Sequence, residues 1–144
     1  MKVQDIMTRP PITVGLDMPV VEAKQLMGMH RIRHLPVTDS GRLMGMITDR
    51  DIRLNLPSPA TSLSVWEVNF LLAKLTVQSA MTKAVITVEP ERDIAEAGRI
   101  MLDHKIGALP VVDGGIVVGI VTETDMVRAL VTMTTGAVPA LAAR

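Results

Sequence analysis

The chain lacks cysteine and tyrosine altogether and has a single Trp and a single Phe among its 144 residues. Without cysteine, disulfide frameworks, thiolate nucleophiles and cysteine metal sites are excluded. With aromatics at 1%, the core has to be aliphatic, filled out by 11 Met, and a flat ligand has to be held without aromatic stacking. An excess of charge is missing too, since 15 basic residues balance 15 acidic ones. A neutral chain exerts no long-range pull on nucleic acid or on an anionic membrane, so neither partner is expected. No run of about 18 apolar residues occurs, and the start, with Asp5 in its first turn, has no long apolar stretch of a secretory signal. The default expectation is a cytoplasmic protein.

What is present is a 48% hydrophobic and 21% charged sequence, ample for a buried core in one domain or two small ones. Its dominant feature is an internal repeat. Residues 3–56 align with 77–130 at a constant shift of 74 without a gap, with about 21 identities in 54 positions. The matched pieces include Val3-Gln4 with Val77-Gln78, Met7-Thr8 with Met81-Thr82, and Ile12-Thr13-Val14 with Ile86-Thr87-Val88. Further along come His30 with His104, Leu35-Pro36-Val37 with Leu109-Pro110-Val111, Gly45 with Gly119, Thr48 with Thr122, and Asp51 with Asp125.

Periodicity changes in a fixed order within each repeat. A short β-prone segment is followed by Val20, Ala23, Leu26 and Met27, or Ile94, Ala97, Ile100 and Met101, at helical spacing. Two strands then follow, at 35–37 and 43–47, joined by the turn Asp39-Ser40-Gly41, with Asp113-Gly114-Gly115 as its counterpart. Helical patterns resume over 49–56 and 123–131. Each repeat therefore reads as β-α-β-β-α, an α+β fold forming an α/β sandwich. Repeats of this size bury only a modest core alone, so the two are expected to pack about a pseudo-twofold axis, leaving a cleft between them. The expected organisation is repeat one at 1–56, a linker at 57–76, repeat two at 77–131 and a loosely ordered tail at 132–144.

The linker has no duplicate. Pro57 and Pro59 break the preceding helix, and Ser64-Val65-Trp66-Glu67 fits a capping box opening a helix through about Leu75. Trp66 and Phe70 lie four apart on one face, positioned either to fold onto the body of the protein or to meet a second subunit or a partner.

The repeated polar residues suggest chemistry. Gly45-Met46-Ile47-Thr48-Asp49-Arg50-Asp51 and Gly119-Ile120-Val121-Thr122-Glu123-Thr124-Asp125 each end a strand in Thr and open a helix, with Asp three residues on. Unpaired N–H groups at a helix start suit a phosphate, the Thr hydroxyl adds a donor, and an Asp carboxylate can accept both hydroxyls of a ribose. The alternative is that Thr48 and Thr122 only cap their helices while Asp51 and Asp125 favour the first turn.

Two copies of a pattern of the form I-x-x-L-P-V-x-D, then G, then G-h-h-T-x-x-D (h apolar) resemble a tandem pair of CBS domains, the Bateman module. The resemblance covers nearly the whole chain. The insert at 58–67 and the ending at 127–136 are similar to the CBS portion of acetoin-utilisation (AcuB-type) proteins, which usually carry a further ACT-like domain for which no residues remain here. The resemblance implies a regulatory module that binds AMP, ADP, ATP or S-adenosylmethionine in clefts between the repeats, often as a disc-shaped homodimer acting on a protein partner. It implies that Thr48 with Asp51, and Thr122 with Asp125, bind ribose and phosphate. Ile12, Thr13, Val14, Ile86, Thr87 and Val88, together with His34, Leu35, Pro36, Ala108, Leu109 and Pro110, are then implied as the walls around adenine, with the assignment of each strand to a site set by the packing.

The two sites are not expected to be equal. Repeat one carries 8 basic and 6 acidic residues, repeat two with the tail 6 and 8, and Arg50 lies inside the first Thr-x-x-Asp loop. Phosphates are expected to prefer the cleft containing Arg50. His30 and His34 straddle a helix end and a strand, which is not metal-ligand geometry, and His30 and His104 suit helix ends. No metal or required cofactor is expected. With no Gly-x-Ser-x-Gly elbow, no phosphate-loop lysine motif and no His matched to a nucleophile, no enzyme activity is expected. The reading from another class is a structural oligomerisation module without a small-molecule ligand.

Overall fold

The protein is described from a computed structural model covering residues 1–57 and 62–136. Pro59 and Pro139, and the part of the insert at 58–61, lie outside the described residues. In chain order the elements are α1 (Val3–Ile6), α2 (Val20–His30), β1 (His34–Asp39), β2 (Arg42–Thr48), α3 (Asp49–Asn55), α4 (Val65–Lys74), α5 (Val77–Ala80), α6 (Ile94–His104), β3 (Ala108–Asp113), β4 (Ile116–Thr122) and α7 (Glu123–Thr135). The α+β class and the helix–strand–strand–helix order of each repeat match the sequence reading. The leading β segment is reduced to single parallel bridges, Val14 with Val37 and Val88 with Val111.

Local signals explain the boundaries. α2 and α6 both finish on a histidine, His30 and His104, and are closed by a residue in the left-handed conformation, Arg31 and Lys105. The N–H groups of Arg31 and Ile32 both return to the Met27 carbonyl, and those of Lys105 and Ile106 to Met101, so the last turn keeps its hydrogen bonds. The strand pairs turn through two consecutive residues with positive φ, Ser40-Gly41 and Gly114-Gly115, whose twist suits a tight hairpin. α7 runs to Thr135 and is closed by Gly136 in the left-handed region. Residues 132–135, expected to be loosely ordered, thus continue the helix, because nothing between Glu123 and Thr135 breaks it; residues 137–144 lie outside the described residues.

The chain forms two compact units that divide it differently from the repeats. One, here the Asp51 unit, comprises Ile12–Ser40 and Met44–Val85; the other, the Asp125 unit, comprises Met1–Pro11, Gly41–Leu43 and Ile86–Arg144. The opening segment of each repeat therefore packs with the body of the other. In the Asp125 unit Val3 N–H donates to Arg92 O (2.8 Å) and Ile94 N–H to Met1 O (3.1 Å). In the Asp51 unit Val20 N–H donates to Leu75 O (2.9 Å) and Val77 N–H to Met18 O (2.8 Å). Each unit has its own aliphatic core. Val14, Val20, Ala23, Met27, Leu35, Val37, Ile47 and Ile52 close on Val77 and Ala80. Val88, Ala97, Met101, Leu109, Val111 and Val121 close on Val3. Neither core contains an aromatic residue. Burying one such valine stabilises by about 1.5–3 kcal/mol, so α1 and α5, one turn each, are held by Val3 and Val77 rather than by helix propensity.

Trp66 and Phe70 do not fold onto the body. α4 has the expected Ser64 cap, accepting from Glu67 N–H at 3.2 Å, yet none of its residues is buried, and Trp66 is 84% and Phe70 60% exposed. The aliphatic cores are complete without them. No described helix is long and apolar enough to cross a membrane.

Candidate functional site

Each Thr-x-x-Asp sequence sits where a strand ends and a helix begins, with the threonine still extended. Thr48 Oγ1 accepts from Asp51 N–H (3.1 Å) while Asp51 Oδ2 accepts from Thr48 N–H (3.0 Å). Thr122 and Asp125 repeat the exchange at 3.3 and 3.0 Å, and the Thr122 hydroxyl also donates to Oδ2 at 3.1 Å. These are reciprocal capping boxes, so the capping role is real. The N–H of Asp49 is also taken, by Arg33 O (3.1 Å), and that of Glu123 by Gly107 O (3.0 Å). Fewer backbone donors remain there than an open helix start offers, and Arg50, on the first turn of α3, is exposed.

Capping leaves the other carboxylate oxygen for long-range partners. Thr82 Oγ1 lies 3.4 Å from Asp51 Oδ1, and Thr8 Oγ1 lies 3.3 and 3.4 Å from the two oxygens of Asp125. Both threonines arrive on extended segments that bridge the strand leading to the motif. Thr82 exchanges two backbone bonds with Met46 (2.9 and 2.8 Å), and Thr8 two with Ile120 (2.8 and 3.1 Å). Gly45 and Gly119 allow that approach. A Cβ on Gly45 would fall 2.7 Å from both Thr82 O and Met81 Sδ, and one on Gly119 2.6 Å from Met7 Sδ and 3.1 Å from Thr8 O. Thr8 and Thr82 were not among the residues singled out from the sequence. The signal was the repeated Met-Thr pair, but nothing local ties it to a carboxylate 117 or 31 residues away.

The remaining candidates divide between the two units. Ile12, Thr13, Val14, His34, Leu35, Pro36, Thr48, Arg50 and Asp51 belong to the Asp51 unit with Thr82; Ile86, Thr87, Val88, Ala108, Leu109, Pro110, Thr122 and Asp125 belong to the Asp125 unit with Thr8. Val14 N–H donates to Pro36 O (3.0 Å), and Val88 N–H to Pro110 O (3.1 Å). Val14, Leu35, Val88 and Leu109 point into the cores. Ile12, Thr13, His34 and Ile86 are half-buried and Thr87 is exposed. Among the described residues no group of three or more His, Asp or Glu could hold a metal ion.

The two carboxylates differ in their surroundings. Asp51 is half-buried, whereas Asp125 is 2% exposed. Arg128, one turn along α7, places Nη1 3.3 Å from Asp125 Oδ1. The equivalent position in the first repeat is Leu54, which is exposed.

Comparison with known proteins adds to this geometry. A sequence model of the CBS domain matches residues 3–58 and 77–132. The CBS domain-containing protein YhcV of Bacillus subtilis is 32% identical over 124 residues, 86% of this chain and 81% of that protein. L-aspartate semialdehyde sulfurtransferase of Methanocaldococcus jannaschii is 34% identical over 88% of this chain, which spans 22% of that enzyme's length. Among solved structures, the acetoin utilisation protein AcuB from Vibrio cholerae superposes with a TM-score of 0.78 at 31% identity, covering 96% of this chain and 98% of that one. The CBS domain pair of protein MJ0100 in complex with 5′-methylthioadenosine and S-adenosyl-L-methionine gives 0.74 at 33% identity, covering 90% and 95%. CBSX2 in complex with AMP gives 0.77 at 28% identity, covering 92% and 98%.

Proposed function

The chain belongs to the CBS domain family and carries two copies of the domain in tandem, and from that premise we propose that it is a regulatory module, not an enzyme, that senses an adenosyl ligand. The ligand is AMP, ADP, ATP or S-adenosylmethionine, and binding is transmitted by rearrangement of the repeats or of a homodimer to a protein partner. One observation carries this reading: in each unit a carboxylate fixed by a capping box through one oxygen meets a threonine from a distant segment on the other. A carboxylate can accept several donors, and at Asp51 the 3.4 Å contact from Thr82 is long enough to give way to a shorter bond from a ribose hydroxyl. Relatives at 33% and 28% identity bind 5′-methylthioadenosine and S-adenosyl-L-methionine, or AMP. Arg50, exposed on the first turn of α3, supplies charge for a phosphate. Regulation follows only if the ligand binds two arrangements with different affinity.

A thermal-shift panel of AMP, ADP, ATP, S-adenosylmethionine and NADH tests the reading. A true ligand at about 100 times its dissociation constant stabilises by about 2.7 kcal/mol. Silence across the panel, with salt and pH controlled, defeats it. Arg50→Ala is expected to weaken AMP and ATP more than adenosine; equal losses remove the phosphate role.

The second reading, an oligomerisation module without a small-molecule ligand, draws on α4, whose Trp66 and Phe70 stand exposed. It expects an assembly indifferent to nucleotides and to Asp51→Asn or Asp125→Asn.

A further inference from the structure

The two Thr-x-x-Asp carboxylates are chemically equivalent in sequence but not in the folded protein. Asp51 receives Thr48 N–H on Oδ2 and Thr82 on Oδ1, both neutral donors, and is half-buried. Asp125 receives the corresponding Thr122 and Thr8 donors and, in addition, a guanidinium. Arg128 is itself largely enclosed, its side chain 21% exposed against 1% for Asp125. At the matching position the first repeat has Leu54, 71% exposed, which offers no charge.

A guanidinium on a buried carboxylate occupies an acceptor position that a ligand hydroxyl needs. We propose that Arg128 is a latch on Asp125 that sets the ligand class of that site. The proposal rests on the adenosyl-binding reading above. A neutral nucleoside has to displace Arg128 from Asp125 and offers the freed cation nothing in return. A nucleoside carrying a phosphate gives the displaced guanidinium a new anion within reach of a long, flexible side chain. The Asp125 unit therefore selects anionic adenosyl ligands over neutral or cationic ones. The Asp51 unit, without an equivalent arginine on its carboxylate, accepts both. The guanidinium reaches Asp125 Oδ1 through Nη1 at 3.3 Å. The repeat charges gave the phosphate preference to the cleft containing Arg50; here the cation that discriminates lies one helical turn beyond the second motif.

The test uses the full chain with each site read separately. Asp51→Asn leaves the Asp125 site to report, Asp125→Asn the Asp51 site, and equilibrium dialysis measures adenosine and AMP on each. The ratio of AMP to adenosine affinity is expected to be at least about tenfold larger in the Asp51→Asn protein, the lower end for losing a hydrogen bond to a charged group. Adding Arg128→Leu to it is expected to tighten adenosine by a similar factor and shrink the ratio. Adding Leu54→Arg to Asp125→Asn is expected to weaken adenosine and raise the ratio, and this arm decides alone if Arg128→Leu fails to fold by circular dichroism. Equal ratios in the two single variants, or adenosine affinity unmoved by Arg128→Leu in a folded protein, overturns the latch and leaves the adenosyl reading standing. If wild type binds neither ligand, or if neither Asp→Asn change alters binding, the adenosyl reading falls and takes the latch with it.

Discussion

Gly45 and Gly119 occupy the same place in the two repeats, so sequence symmetry expects the same cost for replacing either by alanine. The structure does not. At Gly45 the new Cβ meets the Thr82 carbonyl oxygen at 2.7 Å, and that oxygen is held by Met46 N–H at 2.9 Å. It cannot retreat without lengthening the bridge that delivers Thr82 to Asp51. At Gly119 the backbone oxygen of Thr8 is 3.1 Å away and the shortest contact, 2.6 Å, is to the Met7 thioether, an end that swings aside cheaply. Overpacking costs about 1–3 kcal/mol. Alanine returns about 0.4–1 kcal/mol by restricting the unfolded chain. The balance for Gly45→Ala is a loss of about 1–2 kcal/mol, and for Gly119→Ala close to none. Because the two units need not open together, the assay is native-state hydrogen exchange at the amides of Met46 and Ile120, which donate to Thr82 O and Thr8 O. Met46 is expected to exchange about 5–30 times faster in Gly45→Ala, with Ile120 in Gly119→Ala changed by less than about threefold. Equal acceleration at both, or a Gly45→Ala protein protected like wild type, refutes the reasoning.

Other expectations follow from single contacts. Thr48→Ala removes the acceptor for Asp51 N–H and is expected to lower stability in urea by about 1 kcal/mol; an unchanged midpoint means the cap is idle. Thr82→Val, which keeps the shape and deletes the hydroxyl facing Asp51, is expected to change stability by less than about 0.5 kcal/mol, as at other exposed sites, while altering nucleotide affinity. A stability loss above that, with binding intact, makes Thr82 structural. Trp66→Ala with Phe70→Ala is expected to leave the urea midpoint in place, both side chains being exposed, and sedimentation of the same variant shows whether α4 holds an assembly together.

Much of this was legible in the sequence because the relevant signals are local. The histidine-ended helices, the Ser40-Gly41 and Gly114-Gly115 turns and the two capping boxes each depend on residues a few positions apart. What escaped was the pairing of duplicated pieces. A repeat makes its own register degenerate: Thr8 and Thr82 are interchangeable in sequence, as are Asp51 and Asp125. The fold joins Thr8 to Asp125 and Thr82 to Asp51, a choice made by where the chain can reach rather than by the local residues. Arg128 escaped for a different reason. The repeats differ there, but the difference gains meaning only when the helix turns Arg128 back onto Asp125.

The crossed membership of the opening segments also has a consequence in time. The Asp51 unit has all its residues once Val85 has been made, while Met1–Pro11 waits for partners as late as Asp125 and the helix that carries it. At about 5–20 residues per second that delay is roughly 2–8 s on the ribosome. Throughout the interval the nascent chain holds two Met-Thr dipeptides, and only the later one, Met81-Thr82, is the native partner of Met46.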